Sequence, residues 1–330
     1  MAGRETDVPQ HRCVNHNAGP TTVSVFRPQA KGSDLPKNLP ETPMSKTSTL
    51  DPRGGVAVIT GAASGIGAAL ALQLAGRGCH LALVDVNPGA LQAVADQARG
   101  LGVEVSQHVL DLASAEAAAT LLAAVTGAHG RATLLVNNAG VALGGSFGQV
   151  AAADFDWLMR INFGAVVQLT RAFLPLLQQA PAAQIVNISS IFGIIAPPGQ
   201  TAYCASKFAL RGFSESLRHE LEASGSSVGM TLVHPGGVRT GIADNARLPA
   251  GASAAQIAEG QAQARRMLRL SPEAAAARIL RGITQREPRV LVGGDAVGAA
   301  WMQRLFPVSY WQRLARKLAG RATKTAPTPA

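Results

Sequence analysis

Seven short apolar runs, each leading into a longer segment with helical spacing, leave few folds open to residues 55–292. The runs are Val56–Thr60, His80–Asp85, Val103–Leu110, Thr133–Asn137, Gln184–Ser189, Ser227–His234 and Arg289–Val292. Between them lie helical patterns at Gly65–Arg77, Leu91–Leu101, Ala115–Ala128, Asp154–Gln179, Tyr203–Ala223 and Pro272–Gln285. The strand candidates are continuously apolar rather than alternating, which predicts a parallel sheet covered by helices on both faces. Right-handed crossovers then leave a doubly wound α/β sheet as the natural solution. Length alone permits one large domain or two small ones; the unbroken alternation predicts a single domain over residues 51–294.

The first run feeds directly into Gly61-Ala62-Ala63-Ser64-Gly65-Ile66-Gly67 and then into good helix formers. Strand, glycine turn and helix let backbone N–H groups and the positive helix end approach a pyrophosphate, and glycine is needed where a side chain would block that approach. The spacing is Gly-xxx-Gly-x-Gly rather than the commoner Gly-x-Gly-xx-Gly; a glycine-rich turn without a ligand is the plainer alternative. The second run ends at Asp85, where a carboxylate accepts hydrogen bonds from an adenosine ribose diol and repels a 2′-phosphate. Val86 and Asn87 follow it and Ser64 occupies the turn, so no cation stands ready for that phosphate. NAD(H) is therefore expected over NADP(H), in a Rossmann-type arrangement. Asp111 and Leu112, after the third run, are candidates to flank the adenine, although Asp at a strand end is also ordinary turn chemistry.

Tyr203-Cys204-Ala205-Ser206-Lys207 sets a phenol and an ammonium four residues apart, with Ser190 thirteen positions earlier. Residues four apart share one helix face, so both groups reach the same space. A phenol has an ordinary pKa near 10, and a neighbouring cation favours its charged form. Such a device moves a proton on and off an alcohol oxygen. Taken alone, the same spacing also describes a surface lysine lying along an aromatic ring.

Composition excludes several classes. The net charge of +10 is confined to residues 261–330, with thirteen Lys/Arg against three Asp/Glu, so it does not surround the candidate cleft as a nucleic-acid enzyme would require. Cys13, Cys79 and Cys204 form neither an even disulfide framework nor a metal-ligand spacing, which predicts a reducing, cytoplasmic setting and no metal. No uninterrupted apolar run is long enough to cross a membrane. Residues 1–50, rich in Pro, Thr, Asn and Ser without periodicity, read as a disordered extension, and Met44 is a candidate true start.

Taken together, Thr60–Gly67, Asn137-Asn138-Ala139-Gly140, Asn162, Ser190, Tyr203–Lys207 and Pro235-Gly236-Gly237-Val238-Arg239-Thr240 resemble a short-chain dehydrogenase/reductase over residues 55–292. The resemblance implies hydride transfer between nicotinamide C4 and a carbinol or carbonyl carbon. It makes Tyr203 the proton donor and acceptor, and Ser190 the hydrogen-bond partner of the substrate oxygen, with Ser189 as the competing assignment. Lys207 would hold the nicotinamide ribose and lower the Tyr203 pKa. Asn162 would distort its helix and hold a water that links the lysine to solvent. Gly61, Ser64, Gly65, Ile66, Gly67, Asp85, Asp111, Leu112, Asn138, Ala139, Gly140, Pro235, Gly236, Val238 and Thr240 would line the cofactor, together with Tyr203 and Lys207. His234 reads as a packed strand-end residue. The resemblance also implies a homodimer or homotetramer, built through the helices that begin near Asp154 and Tyr203.

The segment from Ile191 to Pro198, with Phe192 as a substrate contact, and Val141-Ala142-Leu143 carry no charge, so a small apolar secondary alcohol or ketone is the expected substrate. Residues 241–270 are expected to form a mobile lid. Residues 298–321 interleave Trp301, Leu305, Phe306, Tyr310, Trp311, Leu314 and Leu318 with Arg304, Arg313, Arg316, Lys317 and Arg321, and Pro307 should divide two short helices. This is either a basic amphipathic element lying peripherally on a membrane or a helix docked on protein. A catalytically silent NAD-binding interaction or redox-sensing module is the alternative to an enzyme. A Ser/Lys hydrolase lacks its Gly-x-Ser-x-Gly elbow.

Overall fold

All seven expected strands form, as β1 (Val56–Thr60), β2 (His80–Asp85), β3 (Val105–Val109), β4 (Leu134–Asn137), β5 (Ala183–Ile188), β6 (Val228–Pro235) and β7 (Arg289–Val292). In the computed structural model, which describes residues 49–249 and 253–316, they make one sheet in the order β3-β2-β1-β4-β5-β6-β7. Every neighbouring pair is parallel. Strands β1, β4 and β5 are buried along their whole length, which explains their unbroken apolar content.

Helices α1 (Gly65–Ala75), α2 (Pro88–Arg99) and α8 (Pro272–Thr284) cover one face, where Leu70, Leu74, Leu91 and Ile279 pack in one apolar cluster. Helices α3 (Ala117–His129), α5 (Ala165–Leu177) and α6 (Thr201–Ala223) cover the other, around Leu121, Leu169, Phe173 and Leu221. Strand order reverses between β1 and β4, so the crevice at their carboxyl ends is where a doubly wound sheet takes a ligand.

Two expectations need correction. The pattern over Asp154–Gln179 is not one helix: α4 (Ala152–Met159) and α5 are joined by a π turn at Arg160–Gly164, in which the Ala165 N–H donates to the Arg160 carbonyl. One extra residue in a turn leaves the apolar spacing nearly unchanged, so periodicity does not register it. Leu50 belongs to the fold and not to the N-terminal extension, since its side chain is buried in the first cluster and its N–H donates to Thr284 O at 2.8 Å. The expectations for residues 1–48, Met44 included, lie outside the described residues. The segment 241–270, expected as a lid, contains α7 (Ala254–Met267). Past β7, α9 (Gly294–Leu305) and a second helical stretch at 310–316 flank Pro307 as expected, while Lys317, Leu318 and Arg321 lie outside the described residues. Among the described residues no helix is long and apolar enough to cross a membrane.

Candidate active site

The carboxyl edge of the sheet collects the residues singled out in the sequence. At the end of β1, Gly61 has φ +65° and its backbone lies against Ala139, where an added Cβ would come within 2.9 Å of Ala139 Cα. An added Cβ on Gly67 would fall on the Gly61 carbonyl oxygen. The turn is held from β4: Asn138 Nδ2 donates to Thr60 O and Gly61 O at 2.9 and 3.1 Å, and Thr60 Oγ1 accepts from the N–H groups of Asn138 and Ala139, both at 3.0 Å. Ser64 begins α1 without a side-chain cap, and no acidic residue stands in the first turn, so the positive helix end is not neutralised by protein. Ile66 lies in that turn. Asp85 accepts from Ala63 N–H with one carboxylate oxygen and from Asn87 N–H with the other, both at 3.0 Å. Beyond β3, whose neighbour Leu110 donates its N–H to Asp85 O at 3.0 Å, Asp111 closes its own turn on Ala113 N–H at 2.9 Å and leaves Leu112 packed in the second cluster.

The opposite wall comes from β6. Gly236 N–H donates to Val292 O, Val238 pairs with Leu270, and Thr240 stands over the glycine turn, 2.9 Å from where a Gly65 Cβ would lie. These residues fit a dinucleotide: backbone occupies the space side chains would fill, an uncapped helix end faces the crevice, and a carboxylate stands at the ribose position.

Ser190, Tyr203 and Lys207 meet next to this cradle. Ser190 follows β5, and its Oγ accepts from Phe192 N–H at 3.1 Å. Tyr203 and Lys207 lie in the first two turns of α6, with Nζ 5.6 Å from the phenol ring centroid. Lys207 is buried, and its Nζ donates to Ile188 O at 3.1 Å. Burial pushes the Tyr203 phenol up to about 12, with the hydrogen-bonding influence of Ser190 pulling weakly the other way. Burial also lowers the Lys207 ammonium to about 8. The expected lowering of the Tyr203 pKa by its lysine is not seen: burial, not the ammonium, sets the direction. The two serines have different partners. Ser189 is buried and donates to Lys207 O at 3.1 Å, a bond to helix backbone, whereas Ser190 faces the phenol.

Asn162 sits in the π turn, fully buried, and clamps Val141 from both sides: Oδ1 accepts from Val141 N–H at 2.8 Å and Nδ2 donates to Val141 O at 2.9 Å. The Asn162 amide and Lys207 Nζ both crowd Gly140, at 3.3 and 3.5 Å from an added Cβ. Its side chain thus fixes the loop after β4.

On the substrate side, Phe192 stacks edge-on against Tyr203 with centroids 6.1 Å apart. Val141, Ala142 and Leu143 are covered by the 241–249 stretch, where Arg247 exchanges backbone hydrogen bonds with Ala142 and Gly144 at 3.0 Å each. The Arg247 guanidinium lies over Trp157, 3.5 Å from the ring centroid, and bonds Asp154 at 3.0 Å. This half of the expected lid is seated.

Residues 55–250 match the family model described as short chain dehydrogenase. The chain belongs to that family. SadH of Mycobacterium tuberculosis, named as an oxidoreductase, is 42% identical over 261 residues, covering 79% of this chain and 94% of that protein. A short-chain dehydrogenase/reductase structure from Burkholderia phymatum in complex with NAD is 34% identical with a TM-score of 0.72, covering 77% of this chain and 94% of that one. A metagenomic short-chain oxidoreductase in complex with NADP is 32% identical with a TM-score of 0.60, covering 74% and 98%. This short-chain dehydrogenase is thus an oxidoreductase acting on CH–OH donors with a nicotinamide dinucleotide.

Three residues hold the site in ways the sequence reading did not assign: His234, read as a packed strand-end residue and found so, Asp295, and Tyr310, read only as part of the aromatic C-terminal element. His234 is fully buried, and its Nδ1 lies 2.8 Å from Ser190 O; a carbonyl only accepts, so Nδ1 carries the proton and the ring holds the Ser190 backbone. Asp295, in the first turn of α9, accepts from Gly237 N–H at 2.7 Å and crowds Gly236. Tyr310 reaches the loop after Ser190. No local motif marks them. They act from distant elements, through backbone that the fold alone brings near.

Proposed function

We propose that this enzyme interconverts an apolar secondary alcohol and its ketone, with Tyr203 as the general acid/base. The reading is carried by the convergence of Ser190, Tyr203 and Lys207 beside the glycine cradle. The nicotinamide, when bound, accepts or supplies the hydride at C4. Ser190 holds the substrate oxygen and stabilises negative charge that develops on it. Tyr203, a phenol throughout the neutral range, donates its proton to that oxygen in the reductive direction; in the oxidative direction its oxygen takes the alcohol proton. Lys207 supplies the adjacent positive charge and reaches toward the nicotinamide ribose, with Asn162 and Gly140 fixing the loop beside it. Gly61, Ser64, Gly65, Ile66 and Gly67 take the pyrophosphate, while Asp111, Leu112, Asn138 and Ala139 line the adenosine side. Pro235, Gly236, Val238 and Thr240 close over the nicotinamide.

Preference for NAD(H) over NADP(H) rests on the Asp85 carboxylate at the ribose position. The apolar substrate class rests on Phe192, which packs edge-on against Tyr203, and on Val141 and Leu143, which share an apolar cluster with Tyr203. We place the enzyme in the cytoplasm, as a homodimer or homotetramer through α4–α5 and α6, in keeping with its free thiols at Cys79 and Cys204.

The deciding experiment is Tyr203→Phe assayed against a panel of apolar alcohols and ketones. Turnover should fall by about a hundredfold to ten-thousandfold, while NADH binding, read by nucleotide fluorescence, stays within about twofold of the wild type. Undiminished turnover would remove Tyr203 from the chemistry. A wild-type protein that binds NADH but converts none of the panel would favour the silent cofactor-binding module.

A further inference from the structure

The loop from Ile191 to Gly199 separates the serine from the tyrosine, and its conformation sets where Phe192 stands against the phenol. It is gripped twice. From within, Cys204, the neighbour of Tyr203 on α6, directs its thiol to Ile195 O at 3.9 Å. From outside, Ala196 N–H donates to the Tyr310 hydroxyl oxygen at 2.9 Å. Ile194 and Ile195 are buried in a cluster with Ala299 of α9, against which Tyr310 and Leu314 also pack. The same α9 begins with Asp295, which anchors Gly236 and Gly237 on the cofactor side.

We infer that α9 and residues 306–316 form the outer wall of the substrate pocket, and that Tyr310 is a positioning residue for the substrate loop. Resting on the oxidoreductase reading above, the inference adds a residue that sets affinity for the alcohol without touching the reacting atoms. Ala196 is exposed, so without the hydroxyl its N–H turns to water; the loop loses one tether to residues 306–316 and opens more often. Substrate binding weakens, and the proton-transfer groups, which are held by β5 and α6, keep their places.

The test uses the full chain carrying Tyr310→Phe, which keeps the ring packing and removes the hydroxyl. Amide exchange across residues 191–199 should speed up by about fivefold to tenfold, the weight of one hydrogen bond, while exchange in β1 and α1 is unchanged. With cyclohexanol and menthol as probes, KM should rise severalfold and kcat should change by less than about twofold; NADH affinity should stay at the wild-type value. Wild-type exchange in 191–199, or a loss of NADH binding equal to the loss in KM, overturns the proposal. Because the exchange measurement needs no turnover, it judges the role of Tyr310 even if neither alcohol is converted. Leu314→Ala, which removes packing and leaves the hydroxyl, should open the same loop. An unaltered loop in both variants is also decisive against it.

Discussion

Three histidines push the pH dependence of stability in one direction. His234 is pushed down to about 4, first by burial and further by Arg289 and Arg211, with Ser190 O and Glu215 opposing. Its folded value lies below the ordinary 6.5, so the unfolded chain takes the proton first. The stability it represents is complete above about pH 6.5 and is lost as the pH falls toward 4, with a span of about 3 kcal/mol. His108 and His129 shift the same way through burial and add to the slope. The urea midpoint should therefore drop between pH 7.5 and pH 5; a flat profile would contradict the buried neutral imidazole. In the proposed preference for NAD(H), Asp85 would repel a 2′-phosphate through its charge. Asp85→Ser should lower KM for NADPH by about tenfold relative to NADH, the scale of relieving a repulsion of about 1–4 kcal/mol at 4 Å. An unmoved ratio of the two KM values would place nucleotide choice elsewhere.

The elements show how far local pattern carries. The strands were legible because a parallel sheet covered on both faces writes itself as apolar runs, and β1, β2 and β7 have the expected bounds. The glycine turn was legible for a steric reason that Gly67 makes testable. Gly67→Ala puts a methyl on the Gly61 carbonyl, which is backbone held by Asn138 and has no rotamer to yield. It should cost roughly 1–3 kcal/mol of stability and abolish NADH binding by fluorescence titration; a variant that binds normally would show that the turn can shift. The π turn was legible only through Asn162 as a likeness to a family, since a one-residue insertion hardly disturbs the apolar spacing. Tertiary grips such as Arg247 over Trp157, or His234 on Ser190 O, had no sequence signal because each joins residues far apart in the chain.

At the scale of the molecule, the basic aromatic C-terminal region divides into two faces. Tyr310 and Leu314 are docked inward, as the protein-docked reading expected. Trp301, Leu305 and Val308 point outward at 60%, 63% and 88% exposure, near Arg304 and beside a region that holds the chain's whole positive excess. Apolar side chains flanked by cations complement an anionic bilayer surface. We accordingly retain peripheral membrane contact as a proposal for this outer face. Wild-type protein should float with vesicles containing phosphatidylserine and not with purely zwitterionic ones, and Trp301→Ser with Leu305→Ser should abolish flotation. Flotation unaffected by the double substitution, or absent altogether, would reject it.

The hydrogen bond from Ala196 to Tyr310 also has a practical side. Residues 306–316 bear on the loop that follows Ser190, so a dye or cross-linker attached within that stretch is a poor choice of label. Such a label pulls on the segment that carries Phe192 against Tyr203. Its signal would then report the perturbation as well as the enzyme.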